Sequence, residues 1–154
     1  MSVKSQQANM KTIHNLVSQD LGYIHGERES GPNGAKKLFH TKSAAFLRTL
    51  GNDLGLKEFK VHKNAGGIAV AGEITLMGLW ADGNGVYFQI SQNLPGRNDF
   101  LYCHITHMKY YSSGSNQWLD SELLKTGDYS AVIDALSALR KSSETSETVN
   151  RYAA

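Results

Sequence analysis

The sequence predicts an α+β domain, a four-stranded antiparallel meander with helices packed on one face, in the order α-α-β-β-β-β-α. Two observations carry this. Apolar residues recur at helical spacing up to about residue 54 and again from residue 128, while between these stretches they alternate with polar ones. Inside the alternating stretch, Asn64-Ala65-Gly66-Gly67 and Asp82-Gly83-Asn84-Gly85 are tight-turn sequences, and connections this short force antiparallel neighbours.

Taken in order, Ile13, Leu16, Val17, Leu21 and Ile24 predict an amphipathic helix over residues 11–24. The glycines, Pro32 and charged residues of Gly26 to Gly34 cannot bury a face, and they predict a flexible loop. A second helix is expected from Thr41, as N-cap, to Leu54, with Phe46, Leu47, Leu50 and Leu54 on one stripe and Gly55 as a left-handed stop. Three strands follow. Their inward residues are Phe59 and Val61, then Ile68, Val70, Ile74 and Leu76, then Val86, Phe88 and Ile90. After a turn at Leu94 to Asp99, a fourth strand, Phe100 to Tyr111, sends Leu101, Cys103 and Ile105 inward and Tyr102, His104 and Thr106 outward. Asp128 caps a last helix carrying Tyr129, Val132, Ile133, Leu136 and Leu139 on one stripe. The expected organisation is a helix and flexible loop over 1–35, one α+β domain over 36–141 and a frayed tail over 142–154.

The chain has 154 residues, of which 40% are hydrophobic, enough for one core and not for two. Its net charge of +2 is too small to draw the whole molecule to nucleic acid or to an acidic membrane. Cys103 is the single cysteine and no Asn-x-Ser/Thr sequon occurs, so nothing points to an oxidising compartment. The polar first ten residues lack the apolar stretch of a signal peptide, and no run approaches the ~20 residues of a membrane span. The expectation is a soluble, cytoplasmic protein with no membrane contact.

The segment Gly66-Gly67-Ile68-Ala69-Val70-Ala71-Gly72-Glu73-Ile74-Thr75-Leu76, followed by Tyr87-Phe88-Gln89-Ile90-Ser91-Gln92, resembles small uncharacterised proteins carried by phages, plasmids and other mobile elements. The resemblance runs from about Leu38 to Leu119 and contains no catalytic signature. It implies a mobile-element setting, in which small proteins often act by binding and blocking a host or defence component.

Alternation gathers Glu73, Thr75, Tyr87, Gln89, Ser91, Tyr102, His104 and Thr106 on the outward sheet face, with Lys60 and His62 joining from the first strand. Aromatic and amide groups on an open sheet suit a protein partner or stacked bases. Tyr87, Gln89, Tyr102 and His104 are the candidate binding residues. A second candidate surface is the basic segment from Lys36 to Lys63, where Lys36, Lys37, Lys42, Arg48, Lys57, Lys60 and Lys63 stand against Asp53 and Glu58. Of these, Lys42, Arg48, Lys60 and Lys63 are the candidate phosphate contacts.

Other chemistries find less support. Cys103 and His107 share a strand face but lie about 13 Å apart, and His104 points the other way, so no metal is expected. The glycine-rich turns lack the phosphate-loop and dinucleotide patterns, so no cofactor is expected either. No Gly-x-Ser-x-Gly elbow is present, and Cys103 belongs to an apolar face. Trp80, Tyr110, Tyr111 and Trp118 lie near strand ends, where such aromatics serve either as interface anchors or, more often, to close a core. The first reading is therefore a non-catalytic binding protein with a protein partner, which the resemblance implies is a host or defence component that it blocks. The second is a nucleic-acid-binding module. The third, an enzyme, is a metal-independent nuclease with His104 and His62 as acid and base and Glu73 or Tyr102 orienting them.

Overall fold

A computed structural model describes residues 3–17, 34–64, 72–91, 99–106 and 115–138. It is a mixed α+β fold. Helix α1 (Val3–Val17) and helix α2 (Ala35–Asp53) precede five strands, β1 (Glu58–Asn64), β2 (Glu73–Leu79), β3 (Gly85–Ser91), β4 (Asp99–Thr106) and β5 (Ser115–Asp120). A short helix α3 (Ser121–Thr126) and helical residues 129–138, here α4, follow. The strands form one antiparallel sheet in the order β1-β2-β3-β4-β5. Among the described residues the meander thus has five strands where four were expected, and two helices follow it where one was expected.

The register explains which residues are buried. Val61 pairs with Leu76, Leu76 with Phe88, and Phe88 with Cys103, while Ile74, Ile90, Leu101 and Leu119 form a parallel rank. These residues share one face, and Ile74, Leu76, Phe88, Ile90, Leu101 and Cys103 are fully buried there. Helix α2 lies over this face at β1 and β2, and α3 packs against β4 and β5. Helix α1 packs on α2 and α3 and adds Met10, Ile13 and Leu16 to the core. The expected separation of residues 1–35 from the domain therefore does not describe α1, whose apolar side chains belong to the same core.

Phe59 is seated by two glycines. A Cβ on Gly51 of α2 would lie 2.8 Å from the Phe59 ring, and one on Gly78 of β2 would lie 2.5 Å from the Glu58 carbonyl oxygen. Side chains at either position would push α2 or β2 away from β1.

Several boundaries differ from the sequence expectation. Helix α1 begins at Val3 and not near residue 11, because its first turns bury Gln6 and Asn9, which apolar periodicity does not register. Gln6 Nε2 donates to the Phe46 carbonyl oxygen at 3.1 Å, and Asn9 Nδ2 donates to Gln6 Oε1 at 3.3 Å, so burial of these amides is compensated. Helix α2 begins at Ala35, and Thr41 lies inside it, its hydroxyl donating to the Lys37 carbonyl at 2.9 Å instead of capping. At the other end Gly55 takes φ +71°, the expected left-handed stop. The Asp82–Gly85 turn closes the β2–β3 hairpin, with the Asn84 N–H donating to Asp82 Oδ1 at 3.0 Å and Gly83 at φ +92°. Asp128 caps α4 by accepting from the Ala131 N–H at 3.0 Å, as its position predicts. The expected turn at 64–67, the loop at 26–34 and the tail lie wholly or mostly outside the described residues, as do Ile68, Val70, His107, Tyr110, Tyr111 and Leu139.

Candidate functional site

The sheet face away from the helices carries the residues of opposite parity, and ladder pairing arranges them in cross-strand ranks. One rank runs His62, Thr75, Gln89, Tyr102, Trp118, and the next runs Lys60, Met77, Tyr87, His104, Asn116. Tyr87, Gln89, Tyr102 and His104 therefore occupy four adjoining backbone positions on β3 and β4. The side chains of Tyr102, His104 and Thr106 lie outside the described part of the structure. Tyr87 and Gln89 are half-buried, and the Tyr87 hydroxyl donates to Gln89 Oε1 at 2.6 Å. This bond fixes the ring tip over the middle of the sheet.

Two further residues complete this face: Met77, which the sequence reading did not single out, and Trp118, for which it favoured the core over an interface. Met77 is 41% exposed and Trp118 is 50% exposed, among the largest apolar groups left in water. Trp80 is buried as expected, but Trp118 is not part of the core. The signal was the parity of a fifth strand, in which Asn116, Trp118 and Asp120 alternate with Gln117 and Leu119. Beside Met77 a shallow cavity of about 370 Å³ is lined by Glu58, Phe59, Lys60, Met77 and Gly78. Its walls offer two apolar side chains, Phe59 and Met77, and one charge of each sign.

The charge of this face is mixed. Lys60 is accompanied by Glu58, Glu73 and, at the end of β5, Asp120, and Glu73 Oε1 accepts from Asn64 Nδ2 at 3.3 Å. The remaining basic candidates lie elsewhere. Lys42 and Arg48 are on α2, which covers the opposite side of the sheet, and Lys63 has the parity of Phe59 and Val61. Lys36 is 3% exposed, so it is not part of a solvent-facing basic surface. The basic segment is contiguous in sequence and divided in space.

His62 and His104 stand on strands three ladder steps apart and two residues out of rank, which sets their Cα atoms roughly 15 Å apart at ~4.8 Å per step. The two residues are therefore not neighbours in the sheet, as an acid–base pair on one phosphate would need. Burial pushes the Cys103 thiol well above its ordinary range, which keeps it protonated and unreactive. Among the described residues no group of three or more His, Cys, Asp or Glu could hold a metal ion, and no helix is long and apolar enough to cross a membrane.

No family model matches the chain, no curated protein is similar to it in sequence, and no solved structure matches its fold.

Proposed function

We propose that this chain is a non-catalytic binding protein whose open sheet face docks a protein partner. The observation that carries the reading is the joint exposure of Met77 and Trp118 on a face that no described helix covers, with the Tyr87–Gln89 pair between them. Tryptophan, tyrosine and methionine are enriched at protein interfaces, and an anchor beside a small cavity is the usual form of an energetic centre. The mixed charge of the face suits a protein surface better than a polyanion. Blocking a host or defence macromolecule, as in the mobile-element setting, is the biological role that fits a small binding protein of this kind.

Nucleic-acid binding is the second reading, supported by exposed Lys37 and Arg48 on α2. It ranks lower because the stacking aromatics and most of the basic groups lie on opposite sides of the sheet, so one strand cannot engage both. The test compares tagged wild type with the Trp118→Ser/Met77→Ser variant in captures from the native host, with and without nuclease. A protein retained by the wild type, resistant to nuclease and lost with the variant is the expected result. Retention that the variant leaves unchanged, or that nuclease abolishes, overturns the protein-docking reading.

A further inference from the structure

We infer that the outer edge of β1 accepts an extended acidic segment of a partner protein as a sixth strand. This edge adjoins the open face and shares Lys60 and His62 with it, but the inference rests on the backbone edge and its charge and not on docking at Met77 and Trp118.

Three observations converge on that edge. First, among the described residues the sheet ends at β1, so the outward backbone groups of Glu58 to Lys63 have no described strand beside them. Second, the apolar layer ends there incompletely covered. Leu76 is fully buried, yet its ladder partner Val61 is only half-buried, as is Phe59 two residues earlier. An added strand with an apolar residue at alternate positions would extend this layer by one step.

Third, the edge is basic on both of its faces. Lys60 and His62 lie on the open face and Lys63 on the covered face, all exposed, with Lys57 just before the strand and Glu58 the one carboxylate in it. Opposite charges on paired strands stabilise, and like charges directly across destabilise. A second copy is therefore a poor occupant by its own β1. An antiparallel pairing centred on Val61 would set the two copies' Lys60 side chains diagonally across from each other on one face. Lysine on an edge strand also discourages self-association, and a carboxylate-bearing strand turns the same residues into contacts.

The probe is a fluorescein-labelled peptide alternating Glu and Val over seven residues, with a Lys/Val peptide as its counterpart, titrated by anisotropy at about 50 mM salt. The acidic peptide is expected to bind, and the lysine peptide not to. Lys60→Glu/Lys63→Glu, two exposed positions that leave the melting temperature in place, should weaken binding at least about tenfold. The same charge change on α2, Lys42→Glu/Arg48→Glu, should leave it within about twofold. Hydrogen exchange should slow at alternate amides between residues 58 and 64. The proposal is overturned if the acidic peptide fails to bind at about 1 mM, if the lysine peptide binds equally, or if the α2 variant weakens binding as much as the β1 variant. It is also overturned if no β1 amide is protected. Self-association abolished by Asp120→Lys would instead assign the edge to β5 of a second copy.

Discussion

The two faces of the sheet are made by the same strands, residue by residue in alternation, and they have opposite fates. On one face Leu76, Phe88 and Cys103 are sealed under α2 and its neighbours; on the other, Met77 and Trp118 remain 41% and 50% exposed. The covered face holds the fold together, since burying a side chain the size of Phe contributes about 1.5–3 kcal/mol. On the open face Met77 and Trp118 leave much of their apolar surface in water and have correspondingly less burial to contribute.

Substitutions sharpen this contrast, beginning with the covered face. Phe88→Ala, at the centre of the sheet, should cost about 3–5 kcal/mol in urea unfolding, because transfer and cavity terms add at a site with no freedom to collapse. A loss under 1 kcal/mol would mean that the core is looser than the fully buried ring indicates.

Gly78→Ala should cost about 1–3 kcal/mol, since the new Cβ meets the Glu58 carbonyl and the Phe59 Cβ, and backbone yields less easily than a side-chain tip. The loss should appear first as faster amide exchange along β1. Stability and β1 protection equal to wild type would show that the strands separate at no cost.

Tyr129→Phe probes the polar joint among the helices. The Tyr129 hydroxyl donates to Asp53 Oδ2 at 2.6 Å, and its ring meets Phe46 edge-on at 6.0 Å. Loss of that hydrogen bond should cost about 1 kcal/mol at neutral pH. Burial first, and then the bond to Asp53, raise the phenol above its ordinary value near 10. The folded chain thus keeps a proton that the unfolded chain releases. The stability from this linkage is whole below pH ~10 and is lost as pH rises towards and through the folded value. The Phe variant should therefore show a shallower fall of melting temperature above pH ~10, and an unchanged slope would remove Tyr129 as a source of it.

The smallest effect is expected on the open face. Trp118→Ser/Met77→Ser should change stability by no more than about 0.5 kcal/mol per site while abolishing partner capture. A loss as large as that of Phe88→Ala would erase the distinction between the faces.

The alternation that separates these faces was legible residue by residue in β2 and β3, where Ile74, Leu76, Val86, Phe88 and Ile90 announce a period of two. So were the left-handed stop at Gly55 and the cap at Asp128, because each depends on a local backbone conformation that its own residue type favours. Strand β5 was hidden for the converse reason. Ser115-Asn116-Gln117 has little strand propensity, and only pairing with β4 makes it a strand. The start of α1 was hidden because its buried face is amide, and Gln6 is tolerated inside only through the Phe46 carbonyl that tertiary packing brings to it.

By itself, then, the sequence determined the class of fold, the antiparallel meander and the outward parity of Tyr87 and Gln89, all of which follow from periodicity and from turns of a few residues. Tertiary structure alone decided that Lys42 and Arg48 stand on the opposite side of the sheet from Lys60, that His62 and His104 are three strands apart, and that Trp118 faces water. These are relations across strands and layers. They depend on register and on which face the helices cover, and local composition encodes neither.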